Sequence, residues 1–98
     1  MLDAGHTVAM ILVTDFDLRT KIRGRRLSEL FGFTNAEAQL AVALAQGKDL
    51  RQIASATGQS LPTLRSHLRA MFEKAGVKRQ ADIVRLVLSI PAVDFLVG

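Results

Sequence analysis

Beyond Thr34 the apolar residues of this chain recur every three or four positions, and each recurring run opens on a side chain able to cap a helix and closes near a glycine or a proline. The first run opens at Thr34-Asn-Ala-Glu37, the capping-box form in which the threonine hydroxyl accepts from the backbone three residues on and the glutamate reaches back, and Gly47 closes it. A second opens at Asp49, with Gln52 three residues later and Ile53 and Ala54 facing inward, and stops at Gly58 after barely two turns. The third takes Ser60 as N-cap, accepts Pro62 in a first turn where no amide partner is lost, and runs to Ala75 before Gly76. Its apolar stripe is Leu64, Leu68, Met71, Phe72 and Ala75. The fourth, from about Gln80 to Ser89, carries Ala81, Ile83, Val84, Leu86, Val87 and Leu88 before Pro91, so apolar residues nearly encircle it.

The N-terminal part has a different pattern. Thr7-Val-Ala-Met-Ile-Leu-Val-Thr14 is β-branched and apolar on both faces, which predicts a short strand or extended segment ending at Asp15, with no partner strand elsewhere in the chain. The expected fold is all-α: a four-helix bundle preceded by an orphan N-terminal strand. Residues 1–26 then read as a remnant of an upstream sensor domain plus a basic linker, 27–90 as the helical domain and 91–98 as a tail.

Composition narrows the chemistry. The chain has 98 residues, 49% of them apolar and 22% charged, enough for one small domain with its own core. It contains no cysteine, which removes disulfides, thiolate metal sites and thiol nucleophiles together. No histidine or carboxylate cluster suggests a metal, cofactor or catalytic site, so no enzymatic activity and no small-molecule ligand are expected. Asp15, at the end of an apolar run, imitates the phosphoacceptor of a receiver domain, but the full α/β domain that such a residue needs is not here. The apolar run Val8 to Val13 is far short of the roughly 20 residues of a membrane span, and Asp3 stands where a signal peptide carries Lys or Arg. A cytoplasmic protein with no membrane partner is the expectation.

Net charge is +4, and its distribution says more than its size. Residues 1–18 hold Asp3, Asp15 and Asp17 with no Lys or Arg, whereas residues 19–26 hold Arg19, Lys21, Arg23, Arg25 and Arg26 with no acid. A second basic stretch, residues 59–79, sets Arg65, Arg69, Lys74, Lys78 and Arg79 against Glu73 alone. Clustered charge of this kind is the footprint of a polyanion-binding element, with a solvated face as the alternative.

The second basic stretch falls on the third helix, and the turn before it, Gly58-Gln59-Ser60, has the three-to-four-residue length of a helix-turn-helix connection. A small residue at the crossing, a residue tolerating positive φ in the turn and an apolar residue returning to the crossing are all required; Ala54, Gly58 and Leu64 supply them. The opposite face of the third helix displays Leu61, Pro62, Arg65, Ser66 and Arg69. Two arginines one turn apart suit a recognition helix, since guanidinium is a two-pronged donor to the guanine edge. Thr63, with a hydroxyl beside the helix start, suits a phosphate oxygen. The alternative for the arginines is pairing with Glu73 on a wet face. His67 has no histidine or carboxylate within helical reach and reads as packed or phosphate-facing.

Taken together, Phe33-Thr-Asn-Ala-Glu37, Leu44 with Gly47, Gln52-Ile-Ala54, Gly58-Gln-Ser60, Thr63-Leu-Arg65, His67 and Lys74-Ala-Gly-Val77 resemble the C-terminal DNA-binding domain of LuxR/FixJ/NarL-type transcriptional regulators, in order and without gaps from residue 33 to about 89. The resemblance implies a four-helix bundle whose third helix, residues 61–75, reads the major groove and whose fourth, residues 80–89, forms the dimer contact on DNA. By position it puts Arg65, Ser66 and Arg69 at bases and Thr63, Lys74, Lys78 and Arg79 near the backbone. Val84, Val87 and Leu88 fall on the dimer contact. The chain departs from the family pattern at Asn35-Ala36, where Pro-Arg is more usual, and at Gln80, where an arginine is common; Arg79 is placed to take over that arginine's role.

The expected function is sequence-specific binding of double-stranded DNA in bacterial transcription control, by a homodimer that is weak without DNA. A promoter-reading segment of a sigma factor shares the motif, and a protein-interaction adaptor docking through the fourth helix is the rival from another class. Salt separates these, because phosphate neutralisation makes affinity fall steeply with ionic strength while apolar docking barely changes.

Overall fold

The computed structural model describes residues 4–91, with side chains from residue 18 onward. Five helices follow one another: α1 (Ala4–Phe31), α2 (Asn35–Ala45), α3 (Leu50–Thr57), α4 (Leu61–Ala75) and α5 (Gln80–Ser89). The described residues contain no strand, so the fold is all-α.

Three of the helices, α2, α3 and α4, open where their caps place them. Thr34 Oγ1 accepts from the Glu37 amide at 3.2 Å while Glu37 Oε1 accepts from the Thr34 amide at 2.9 Å. Asp49 and Gln52 repeat the exchange at the start of α3, both bonds 2.8 Å. Ser60 caps α4 with Pro62 in its first turn, and Gly76 in the left-handed conformation ends it. Arg79, which precedes α5, makes no capping bond with its side chain.

The N-terminal expectation is overturned. Thr7–Thr14 is helical, the first half of a 28-residue α1 that also takes in the arginine block and crosses residue 26 without a break. The physical reason lies in the backbone: a lone strand leaves its N–H and C=O groups unpaired, whereas a helix pairs them within the segment. Leu, Arg and Lys in the following turns are good helix formers, so nothing stops the helix until Gly32. The bundle accordingly has five helices rather than four behind a strand. The side chain of Asp15 and residues 92–98 of the expected tail lie outside the described residues.

Helix α2 is the centre. Its sequence is apolar all round apart from Asn35, Glu37 and Gln39, and Ala38, Leu40, Ala41, Val42 and Leu44 are all buried. The other four helices pack against it. From α1 come Leu27, fully buried, and Phe31, half-buried, whose ring stands 5.6 Å from that of Phe33. Ile53 enters from α3, Leu64, Leu68 and Met71 from α4, and Ile83 and Val87 from α5, with Ile90 closing the end. A second tie joins α1 to that end, where the Arg23 guanidinium donates to the Ile90 carbonyl at 3.4 Å.

Gly24 sits inside α1 where it faces α2, and a Cβ built on it stands 4.0 Å from the Ala38 Cβ, an ordinary contact. Replacing Gly24 by Ala removes the helix-interior penalty of glycine without a clash. Gly24→Ala is therefore expected to stabilise the fold by about 0.5–1 kcal/mol in urea unfolding. Destabilisation by that amount would mean α1 does not lie on α2 as described.

Candidate nucleic-acid interface

The turn Gly58-Gln59-Ser60 sets the direction of α4. Gly58 has φ +76°, a left-handed conformation that a side chain strains, and its amide donates to the Ala54 carbonyl at 2.9 Å to end α3. Thr57 adds a back-bond from its hydroxyl to the Ile53 carbonyl at 2.8 Å, and its Oγ1 accepts from the Gln59 amide at 3.3 Å. Leu64 then returns to the crossing, almost fully buried, with Ala54 against the core.

With Leu64, Leu68 and Met71 inside, the opposite face of α4 is solvent-exposed at Pro62, Thr63, Arg65, Ser66 and Arg69. Arg65 and Arg69 lie one helical turn apart, about 6 Å along the axis. Neither makes an ion pair or hydrogen bond among the described residues, and the pairing with Glu73 that the spacing allows does not form. Their guanidinium groups are thus available as donors. His67 is half-buried and makes no hydrogen bond among the described residues.

The start of α4 holds fewer free donors than the spacing suggests. The Thr63 amide donates to Ser60 Oγ at 3.2 Å, and the Ser60 hydroxyl donates to Thr63 Oγ1 at 2.8 Å. Pro62 has no amide. The Thr63 hydroxyl proton stays open, since its oxygen already accepts from Ser60.

Lys74 has another partner than the one expected of it. Its Nζ stands 2.7 Å from Glu37 Oε1, the same oxygen that accepts from the Thr34 amide, and so ties the last turn of α4 to the first turn of α2. Burial of the Glu37 carboxyl works against its charge, but the Lys74 ammonium and the bonds from Thr34 outweigh that and hold its pKa below the ordinary 4.5. Lys78 and Arg79 are exposed beyond Gly76 and make no ion pair among the described residues.

Sequence reading passed over Arg51. It lies exposed in the first turn of α3 and, with Leu61, Arg65 and Gln80, lines a shallow concavity where the starts of α3, α4 and α5 meet. Asp49 also lines it, with one carboxylate oxygen taken by the Gln52 amide. The signal for Arg51 was weak, a single cation beside a capping aspartate, and only the fold brings it next to Arg65.

On α5 the three expected contact residues separate. Leu88 is 56% exposed and Val84 half-buried, but Val87 is fully buried in the core of its own chain and is not available to a partner. An all-round apolar helix does not announce which side faces inward. Nearby, Asp82 and Arg85 approach to 3.7 Å on the outer surface. Among the described residues no three His, Asp or Glu side chains come together to hold a metal ion, and no helix is long and apolar enough to cross a membrane.

Over 61 residues the chain is 41% identical to the probable transcriptional regulatory protein SgaR of Hyphomicrobium methylovorum. The match covers 62% of this chain and 29% of that protein, so the chain spans less than a third of the relative's length. No protein-family model matches the chain, and no solved structure matches it.

The Glu37–Lys74 pair gives a pH-dependent expectation. A carboxyl with a lowered native pKa contributes stability that is complete above about 4.5 and is lost as pH falls through the lower native value, because the unfolded chain then binds more protons. In Lys74→Met burial still raises the Glu37 pKa with no ammonium to offset it. The variant should lose about 1–3 kcal/mol at neutral pH and begin acid unfolding at a higher pH than the parent. Urea unfolding measured from pH 7 to pH 3 checks both; superimposable curves would remove the pair from the account.

Proposed function

We propose that this chain carries a sequence-specific double-stranded DNA-binding module of a LuxR/FixJ/NarL-type bacterial transcriptional regulator. The single observation that carries the reading is the outer face of α4, where Arg65 and Arg69 stand exposed one turn apart, unpaired among the described residues, behind a left-handed Gly58 turn. A major groove about 12 Å wide accepts a helix about 10–12 Å across, and the two guanidinium groups then meet base edges or flanking phosphates. The likeness to a protein named as a probable transcriptional regulator supports the same reading.

In this reading residues 27–90 form the binding module and the α1 arginine block leads into it. Arg65, Ser66 and Arg69 face bases. Thr63 donates its hydroxyl proton to a phosphate, and Arg51, Lys78 and Arg79 add cations around the starts of α3 and α5. Lys74 acts instead as the tie that holds α4 against α2. Two copies bind a two-fold site through the outer side of α5, where Leu88 and the open part of Val84 supply the apolar contact and Val87 supports them from within.

The test is a fluorescence-anisotropy titration on a duplex selected from a random pool, repeated over a range of salt. Arg65→Ala and Arg69→Ala should each weaken binding by about 1–3 kcal/mol and relax base preference, with thermal unfolding unchanged. Equal affinity of both variants and the parent would overturn the assignment of α4. Leu88→Glu should weaken binding to a duplex with two half-sites more than to one with a single half-site, and equal loss on both would move the dimer contact away from α5.

A further inference from the structure

A second surface, independent of the DNA reading, lies between α1 and α2. The two helices leave a groove whose rims carry Arg25 and Ser28 on one side and Asn35, Gln39 and Gln46 on the other. Thr20 and Lys21 extend the α1 rim. Among the described lining residues none is acidic, Arg25 is a cation with no ion pair there, and the uncharged polar side chains are able to donate hydrogen bonds. Arg25, Asn35, Gln39 and Gln46 are exposed, and their side chains make no hydrogen bond or ion pair among the described residues. The floor is different in kind: half-buried Gly24 and Ala43 give it small apolar surface, with Ala38 and Val42 almost fully buried beneath them.

We infer that this groove docks an acidic amphipathic segment of a partner protein, whose carboxylates meet Arg25 and the amides of α2 while its apolar side chains lie on the floor. Two features favour a protein segment over a second stretch of nucleic acid. A phosphodiester backbone has no apolar side chains to place on Gly24 and Ala43, and it rewards a row of cations more than a rim made chiefly of neutral amides. The groove also takes none of its lining from α3, α4 or α5, so Arg65, Ser66 and Arg69 stay open to another ligand while it is filled. On this account the domain has two addressable faces, one on α4 and one on α1 and α2.

The experiment titrates the full chain with an amphipathic peptide of about 12 residues built from Glu, Leu and Ala, and reads amide shifts by NMR and affinity by anisotropy. The expected result is saturable binding with the largest shifts at Gly24, Asn35, Gln39 and Ala43, and an affinity loss of about tenfold or more in Arg25→Glu combined with Gln39→Glu. Both substituted side chains are exposed, and circular dichroism verifies that the variant folds. A peptide with Lys for Glu should not bind. Arg65→Glu with Arg69→Glu is expected to leave peptide affinity within about twofold. An equal loss in that variant would show unspecific charge attraction and overturn the inference, as would no binding by the parent. Displacement of the peptide by a short DNA duplex would hand the groove to nucleic acid, and a groove-dependent change in sedimentation without peptide would hand it to a second copy; either result overturns the proposal. None of these outcomes bears on base recognition by α4, which the operator titration tests separately.

Discussion

Glu37 holds the two most consequential helices of this fold in register. One of its carboxylate oxygens accepts from the Thr34 amide, which starts α2, and from the Lys74 ammonium, which belongs to the last turn of α4. The group is almost fully buried, and an isolated carboxylate there is costly, so the position is sustainable only while both donors are in place. The consequence is geometric. Helix α2 is the apolar centre on which the rest of the domain packs, and a helix whose far end is tied to that centre presents its outer face in a fixed direction. The other end of α4 is set by the Gly58 turn and the Ser60 cap, so the arginine face is fixed from both ends.

Much of this was legible because helix ends are local. Thr34 with Glu37, Asp49 with Gln52, and Ser60 with Pro62 each act within a few residues, so their spacing carries the signal, and α2, α3 and α4 begin where those spacings place them. The N-terminal segment was misread for a matching reason: Thr7–Thr14 has neither period, and β-branched residues tipped the choice to a strand although no partner existed to pair its backbone. Contacts distant in sequence were beyond reach. Nothing near Lys74 in the chain points to Glu37, 37 residues away, and nothing near Arg51 points to Arg65. Val87 illustrates a third limit, since a nearly all-apolar helix does not distinguish the side that fills the core from the side that does not.

The basic charge of the chain now divides by what it touches. Lys74 is tied to a buried acid and Arg23 to the end of α5, so both hold the fold together. Arg65 and Arg69 have no partner among the described residues, and neither has Arg25 on α1. Cations of the first kind matter to stability, and those of the second are the ones the proposed ligands would meet, a division that net charge conceals. It also explains why two ligands of different chemistry can be assigned to one domain of this size: a helix face with paired guanidinium groups suits the regular edge pattern of a duplex, whereas a groove with an apolar floor suits side chains.

The central claim is that the α4 arginines read DNA sequence, and selection of bound duplexes from a random pool tests it most directly. Parent protein and Arg69→Ala are taken through parallel selections. The account predicts that the parent enriches a two-fold motif and that the variant enriches one with a relaxed position in each half-site. Enrichment of no motif by the parent, or of one identical motif by both proteins, would contradict it.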